Sequence, residues 1–349
     1  SGEKGLFRQP VPFFGQFRVL FLFLAKKEHM HTRRTFLQNS ALFSLGAMLG
    51  TPSFLLDTGL VKKVGIQLFS LPKLLESDFE GTLAMLAQMG YQEIELFGPY
   101  PFSTDLAKKT WEAIIPMVGF KGSGFFGKTP QEVATLMKKY RLRVPSMHTD
   151  LDTLEKNMGA LAEAAQQLGA RYVVLPAIPD AYRKNSDDYK RCAERFNKIG
   201  AEAKRMGIRY AYHNHGYGLN QQYDGRMPLD ILFDNTDPSL VFFEMDIYWT
   251  IAGGADPVKL LNAHPGRYTM LHIKDMKEKK RFSGDGGDAA QWVELFPYMS
   301  SAGDGVLDLP SILGAAQKTG VAHYFVEQDM VADPDVALKR SLDYLKSAG

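Results

Sequence analysis

Four short runs in the second half of the chain each end in residues that can bind a metal ion or move a proton. They are RYAYHNHG, with His213 and His215; VFFEMDIYW, with Glu244 and Asp246; YTMLHIKDM, with His272 and Lys274; and HYFVEQDM, with Glu327. Two carboxylates and one or two imidazoles converging on one point would hold a divalent cation. Such an ion polarises substrate oxygens, while a neighbouring carboxylate, imidazole or ammonium handles protons. Charged groups turned into a fold need partners of this kind, because burying them alone is costly.

For these side chains to meet, the runs must be parallel strands whose carboxyl ends share one rim. A repeating helix–Gly–strand unit supplies that order: AQMGYQEIELFG, AQQLGARYVVLPAI, AKRMGIRYAYHNHG and AQKTGVAHYFVEQD. Gly90, Gly169, Gly207 and Gly320 stand where a helix ends in a left-handed residue, which glycine adopts without strain. With VGIQLFSLP, RVPSMHTD, VFFEMDIYW and YTMLHIKDM the strand count is eight. The expected fold is α/β, a single (β/α)8 TIM barrel over residues 61–349. A doubly wound open sheet is disfavoured because no strand leads into a G-x-G-x-x-G phosphate loop.

Alternation along a strand places Ser146, His148 and Asp150 on one face, and likewise Glu244 with Asp246, His272 with Lys274, and Glu327 with Asp329. Glu95, on EIELFG, joins them by the same logic. Two long connections, 98–129 and 277–308, are expected to cover the site. The SGDGGD stretch in the second reads as a flexible loop. It lacks the spaced ligands and distal Glu of a calcium loop.

The chain has 349 residues, 41 basic and 39 acidic, with a net charge of +2 and 45% hydrophobic side chains. That balance gives no electrostatic footprint for nucleic acid. Cys192 is the single cysteine, so an intramolecular disulfide and a cysteine zinc site are excluded; its helical setting suggests a packed thiol. The first methionine is Met30, followed by HTRRTFLQNSALFSLGAMLG. Arg33, Arg34, Phe36 and Leu37 make a twin-arginine export pattern, so 30–60 reads as signal and linker and the protein as periplasmic or exported. Its apolar stretch is too short and interrupted to span a membrane comfortably, and no stable anchor is expected once the signal is removed. Residues 1–29 read as a misassigned start or an extra leader.

Taken in order, YHNHG at 212–216, MDIYW with GGADP at 245–257, GRYTMLHIKDM at 266–276, GDGVLD at 303–308 and FVEQD at 325–329 resemble the xylose-isomerase-like barrel superfamily, often labelled sugar phosphate isomerases/epimerases. The resemblance covers most of 62–346 and implies a barrel with one divalent metal ion (Mn, Zn, Co or Mg). The family's ligands are typically Glu, Asp, His and Glu at the ends of strands five to eight. The last three match Asp246, His272 and Glu327, while His213 stands in the first position. His213 would then be the fourth ligand, or a hydrogen-bonded histidine with His215 nearer the ion. Trp249 stands where the family pattern has a histidine, and an indole there suggests stacking on a substrate ring.

The resemblance implies a small sugar or cyclitol substrate and, as is common in the family, a homodimer. The expected activity is isomerisation or epimerisation through an enediolate-like intermediate. Glu327, His215 or His148 would move the proton, Lys274 would act as acid or oxyanion stabiliser, and Glu95 and Glu244 would join Trp249 in binding substrate. Lys274 could instead form a salt bridge to Glu244 or Asp246, and Trp111 and Trp292 read as packing residues. With one of the family's two glutamates replaced, a lyase or dehydratase acting on a keto-sugar or 3-keto-glycoside is the alternative. An endonuclease IV-type phosphodiesterase and a non-catalytic carbohydrate-binding barrel are the remaining readings.

Overall fold

The computed structural model describes residues 59–329 and 331–347; residues 1–29, and all of the 30–60 segment but its last two residues, therefore lie outside the described residues. Eight parallel strands close into a barrel. They are β1 (Gly65–Gln67), β2 (Glu93–Phe97), β3 (Arg143–His148), β4 (Tyr172–Leu175), β5 (Arg209–His213), β6 (Val241–Asp246), β7 (Tyr268–Ile273) and β8 (His323–Val326). They pair in sequence order, and β1 closes the ring between β2 and β8. All eight runs named from the sequence are strands, because β-branched and aromatic residues fit a pleated surface covered on both sides.

The helices between them end as glycine allows. Gly90, Gly169 and Gly320 cap their helices at φ 107°, 73° and 97°. Gly207, at φ 78°, comes one residue after the cap Met206. Among the described residues no helix is long and apolar enough to cross a membrane.

The barrel interior is layered, as the period of two along each strand requires. At the amino end, Glu93 pairs with His323 at 2.8 Å and with Arg143 at 3.2 Å. Next comes an apolar plug of Tyr172, Val174, Ala211, Met270 and Phe325, separate from the main core between sheet and helices. Gly65 makes room for this plug, since a Cβ there would lie 2.5 Å from the Phe325 ring. Two residues further along the same strands the side chains become Gln67, Glu95, His213, His272 and Glu327, the floor of the rim.

The connection over 277–308 leaves SGDGGD as loop, then forms the helix Ala289–Leu295, and its Met299–Ser300 pairs with Asp275–Met276 in a short antiparallel ladder. Arg183 reaches across to donate to the Gly287 carbonyl at 2.8 Å, and a Cβ on Gly287 would collide with its guanidinium. Asp275, buried beside the site strand, accepts from the backbone N–H groups of Gly303, Gly305 and Leu307 at 3.0–3.1 Å. Asp150, expected on the inner face, instead caps the helix Leu151–Lys156.

Removing the Asp275 carboxylate would leave four backbone donors, those of Met276, Gly303, Gly305 and Leu307, without their acceptor. Asp275→Ala should therefore cost roughly 2–4 kcal/mol in urea unfolding, with native-state hydrogen exchange accelerated over 303–307.

Candidate active site

Five carboxylates, four imidazoles and one ammonium converge at the carboxyl end of the barrel, in two tiers. The inner tier is built on Glu95 and Glu244, each 0% exposed. Glu95 Oε2 meets His272 Nε2 at 2.5 Å and His148 Nε2 at 3.1 Å, and accepts from Gln67 Nε2 at 2.9 Å; its other oxygen accepts from the Ser146 hydroxyl. Glu244 Oε2 meets His148 Nε2 at 2.7 Å and His213 Nδ1 at 3.0 Å.

The outer tier consists of Asp246, Lys274, Glu327 and Asp329. Asp246 caps the helix Ile247–Ala252, with Oδ1 accepting from Trp249 N at 2.9 Å. That bond turns Oδ2 toward the rim. Asp246 Oδ2 lies 3.9 Å from both His213 Nε2 and His272 Nδ1, and His272 Nδ1 is 2.8 Å from Glu327 Oε2. The Lys274 ammonium sits among Asp246 Oδ2 at 2.9 Å, Glu327 Oε2 at 2.6 Å and Asp329 Oδ2 at 2.9 Å.

Each histidine is tuned by its partners. Burial opposes charge on His148, yet Glu95 and Glu244 outweigh it and lift the imidazole to about 9. Burial is likewise overcome at His272 by Glu244, Glu327 and Glu95, which hold it well above the ordinary value. At His213, burial and then the neighbouring His272 charge push the value well down. His215 is lowered to about 3 by burial and the Lys274 charge. Its Nδ1 lies 2.6 Å from the Pro176 carbonyl, which can only accept. Nδ1 therefore carries the proton and Nε2 the lone pair.

Among the carboxylates, burial works against ionisation of Glu95 and Glu327. The cations beside each, His148 and His272 for Glu95 and Lys274 and His272 for Glu327, nevertheless hold both below the usual range. Asp329 goes the other way, to about 6, because burial and the Glu327 charge outweigh Lys274.

The structure brings Asp246, His272 and Glu327 together, while His213 groups with His148, Glu244 and His272; Lys274 ion-pairs with Asp246 but not with Glu244. It corrects other placements. Glu95 and Glu244 stand behind the histidines rather than facing a substrate. His148 meets both of these carboxylates through its Nε2. Trp249 is only 2% exposed and stacks on Phe282 at 5.5 Å, so it offers no open platform. Trp292, read as a packing residue, is half-buried and stacks on His215 at 4.7 Å. Gln67 and Asp329 were not assigned roles. A glutamine inside the apolar run VGIQLFSLP was the available signal for Gln67.

A hydrogen-bonded carbonyl fixes the His215 tautomer, and burial keeps the ring neutral. Ring ¹⁵N shifts should therefore show one protonated and one bare nitrogen on His215 from pH 8 to pH 5. A His215 ring that gains its second proton within that range would contradict the placement.

Three comparisons bear on the site. A protein named inosose dehydratase from Clostridium perfringens is 26% identical over 269 residues, covering 69% of this chain and 88% of its own length. The crystal structure of a sugar phosphate isomerase/epimerase from Parabacteroides distasonis aligns with a TM-score of 0.63 at 25% identity, over 82% of this chain and 94% of that one. The fold is also that of an IolI protein solved with a zinc atom, with a TM-score of 0.58 at 15% identity, over 81% of this chain and 96% of that one. A family model for the xylose isomerase-like TIM barrel matches residues 83–348. With that match across three quarters of its length, on a closed eight-stranded barrel, the chain belongs to the xylose isomerase-like TIM barrel family.

Proposed function

We propose that the protein is a divalent-metal-dependent dehydratase that removes water from a keto-cyclitol or a closely related keto-sugar. The observation that carries this reading is the donor set at the rim: Asp246, His272 and Glu327 offer ligand atoms that all lie within 4.8 Å of one another, and His213 Nε2, 3.9 Å from Asp246 Oδ2, is the candidate fourth donor. Tetrahedral ligands at bond lengths of about 2.0–2.1 Å lie about 3.3–3.5 Å apart; His272 Nδ1 to Glu327 Oε2, at 2.8 Å, is shorter than that edge, and Asp246 Oδ2 to His272 Nδ1 and to His213 Nε2, at 3.9 Å each, is longer. Asp246 Oδ2 is buried and receives no aligned hydrogen bond from the described residues. The other nitrogen of each imidazole is held by a carboxylate, Glu244 for His213 and Glu95 for His272. Histidines that bind metal ions are oriented in this way. Two imidazoles with two carboxylates suit zinc, manganese or cobalt better than magnesium, which prefers oxygen and retained water.

A divalent ion bound there would polarise the substrate carbonyl and acidify the adjacent C–H bond. The bare Nε2 of His215 takes the proton from that carbon. Lys274, the cation held among Asp246, Glu327 and Asp329, donates a proton to the hydroxyl leaving the next carbon. One C–H bond and one C–O bond break, their electrons forming the C=C bond and leaving with the hydroxyl, and water is released. A proton returned from His215 to Lys274 restores both groups. The same steps would expel the linked group of a 3-keto-glycoside.

The isomerase or epimerase reading has less support. Proton transfer on opposite faces of one carbon asks for a second free base, and Glu244 is fully buried against His148 and His213. The inosose dehydratase relative also favours elimination over rearrangement. The twin-arginine reading of 30–60 would place the enzyme outside the cytoplasm, where unphosphorylated substrates prevail.

Protein stripped with EDTA should lose dehydration of an inosose, and zinc, manganese or cobalt should restore it. The product should be lighter than the substrate by one water; an isomeric product of equal mass would overturn the reading. His215→Ala should lower kcat by about 10²–10⁴-fold, with metal content unchanged by elemental analysis.

A further inference from the structure

Lys274 shares its partners with the metal donor set. Asp246 Oδ2 and Glu327 Oε2, two of the four donor atoms, lie 2.9 and 2.6 Å from its ammonium. An ion bonded to the same oxygens at about 2.0–2.2 Å cannot stand far from Nζ. Two positive charges that close in a buried site repel strongly. The third partner, Asp329, is a carboxylate outside the donor set that accepts from Nζ at 2.9 Å. On another side lies the Trp249 ring, its centroid 5.3 Å from Nζ, a surface that tolerates a cation.

We propose that Lys274 is a resident competitor for the divalent ion, and that Asp329 is the positioning residue that draws its ammonium aside. This rests on the metal-dependent reading above and adds a regulation of that same site. The lysine keeps Asp246 and Glu327 compensated, and the ion must displace it from both. Asp329 then retains the ammonium at the rim, where it serves as the proton donor. Metal affinity is thus a balance between two cations and three carboxylates. Removing Lys274 should strengthen metal binding even though it removes the acid and abolishes turnover. Removing the charge of Asp329 should weaken it, because the ammonium then rests on Asp246 and Glu327 alone.

The test is calorimetric titration of EDTA-stripped full-length protein with zinc chloride and, separately, manganese chloride. Wild type, Lys274→Gln and Asp329→Asn are compared, with circular dichroism to confirm folding. The expected result is Kd lowered on the order of tenfold or more in Lys274→Gln and raised by a similar factor in Asp329→Asn. Equal or weaker binding by folded Lys274→Gln, beside a wild type that binds, overturns the competition and leaves the metal-dependent reading standing. Binding by Lys274→Gln but not by wild type supports the competition in its strongest form. Binding by none of the three overturns both readings. If Lys274→Gln does not fold, Asp329→Asn decides: weaker binding than wild type supports the proposal, and equal or tighter binding overturns it.

Discussion

Buried negative charge is the constraint that shapes this barrel mouth. Glu95 and Glu244 have no exposed surface, and carboxylates in that position ionise only where cations or donors meet them. His148 bridges the two, and Gln67 and Ser146 complete the hydrogen bonding of Glu95. The same two carboxylates grip the inner nitrogens of His213 and His272. Their outer nitrogens are thereby pointed toward Asp246. The site is oriented from beneath, by two carboxylates that are wholly buried. Substituting either glutamate would leave histidines without a fixed tautomer and, at His148, a buried cation with half its compensation.

The depth of each group follows from strand geometry. Phe325 and Glu327 lie two residues apart on one strand path, as do Met270 and His272, or Ala211 and His213. Each pair steps from the apolar plug to the polar floor over one strand repeat of about 6–7 Å. The plug closes the barrel under the charges and keeps water from solvating them from below. Gly65 is part of this arrangement, because only a residue without a Cβ leaves space for the Phe325 ring.

Much of this was legible in the sequence. Eight apolar runs with period-two alternation gave the strands, and the polar residues at their ends gave the rim. Alternation assigns a side chain to a face but not to its partners, so Glu95 and Glu244 read like Asp246 and Glu327 until the contacts with His148, His213 and His272 separated them. Trp249 is read from its place in the family pattern, three residues after Asp246. That place lies in a short helix capped by Asp246, where the indole packs on Phe282. The glycines of SGDGGD read as flexibility, yet at Gly287 the missing Cβ accommodates the Arg183 guanidinium and at Gly286 the backbone takes φ 76°. Close approach and mobility call for the same residue, and only tertiary contacts distinguish them.

The four histidines show how partners alone divide one residue type into separate tasks. His148 and His213 lie 5.1 Å apart, as do His213 and His215, so neither burial nor distance from the rim separates them well. His148 touches two carboxylates and is a cation. His213 touches one, but faces the charge on His272 and stays neutral, with Nε2 turned toward Asp246. His272 has carboxylates on both ring nitrogens, so a proton and a metal ion are alternatives at Nδ1. His215 meets a backbone carbonyl, which stabilises the neutral ring in one tautomer. The base, the cation and the two metal-facing imidazoles of the proposed function rest on whether each ring nitrogen meets a carboxylate, a carbonyl or another histidine. The chemistry available at this rim is therefore set by Glu95, Glu244 and the Pro176 carbonyl at least as much as by the histidines themselves.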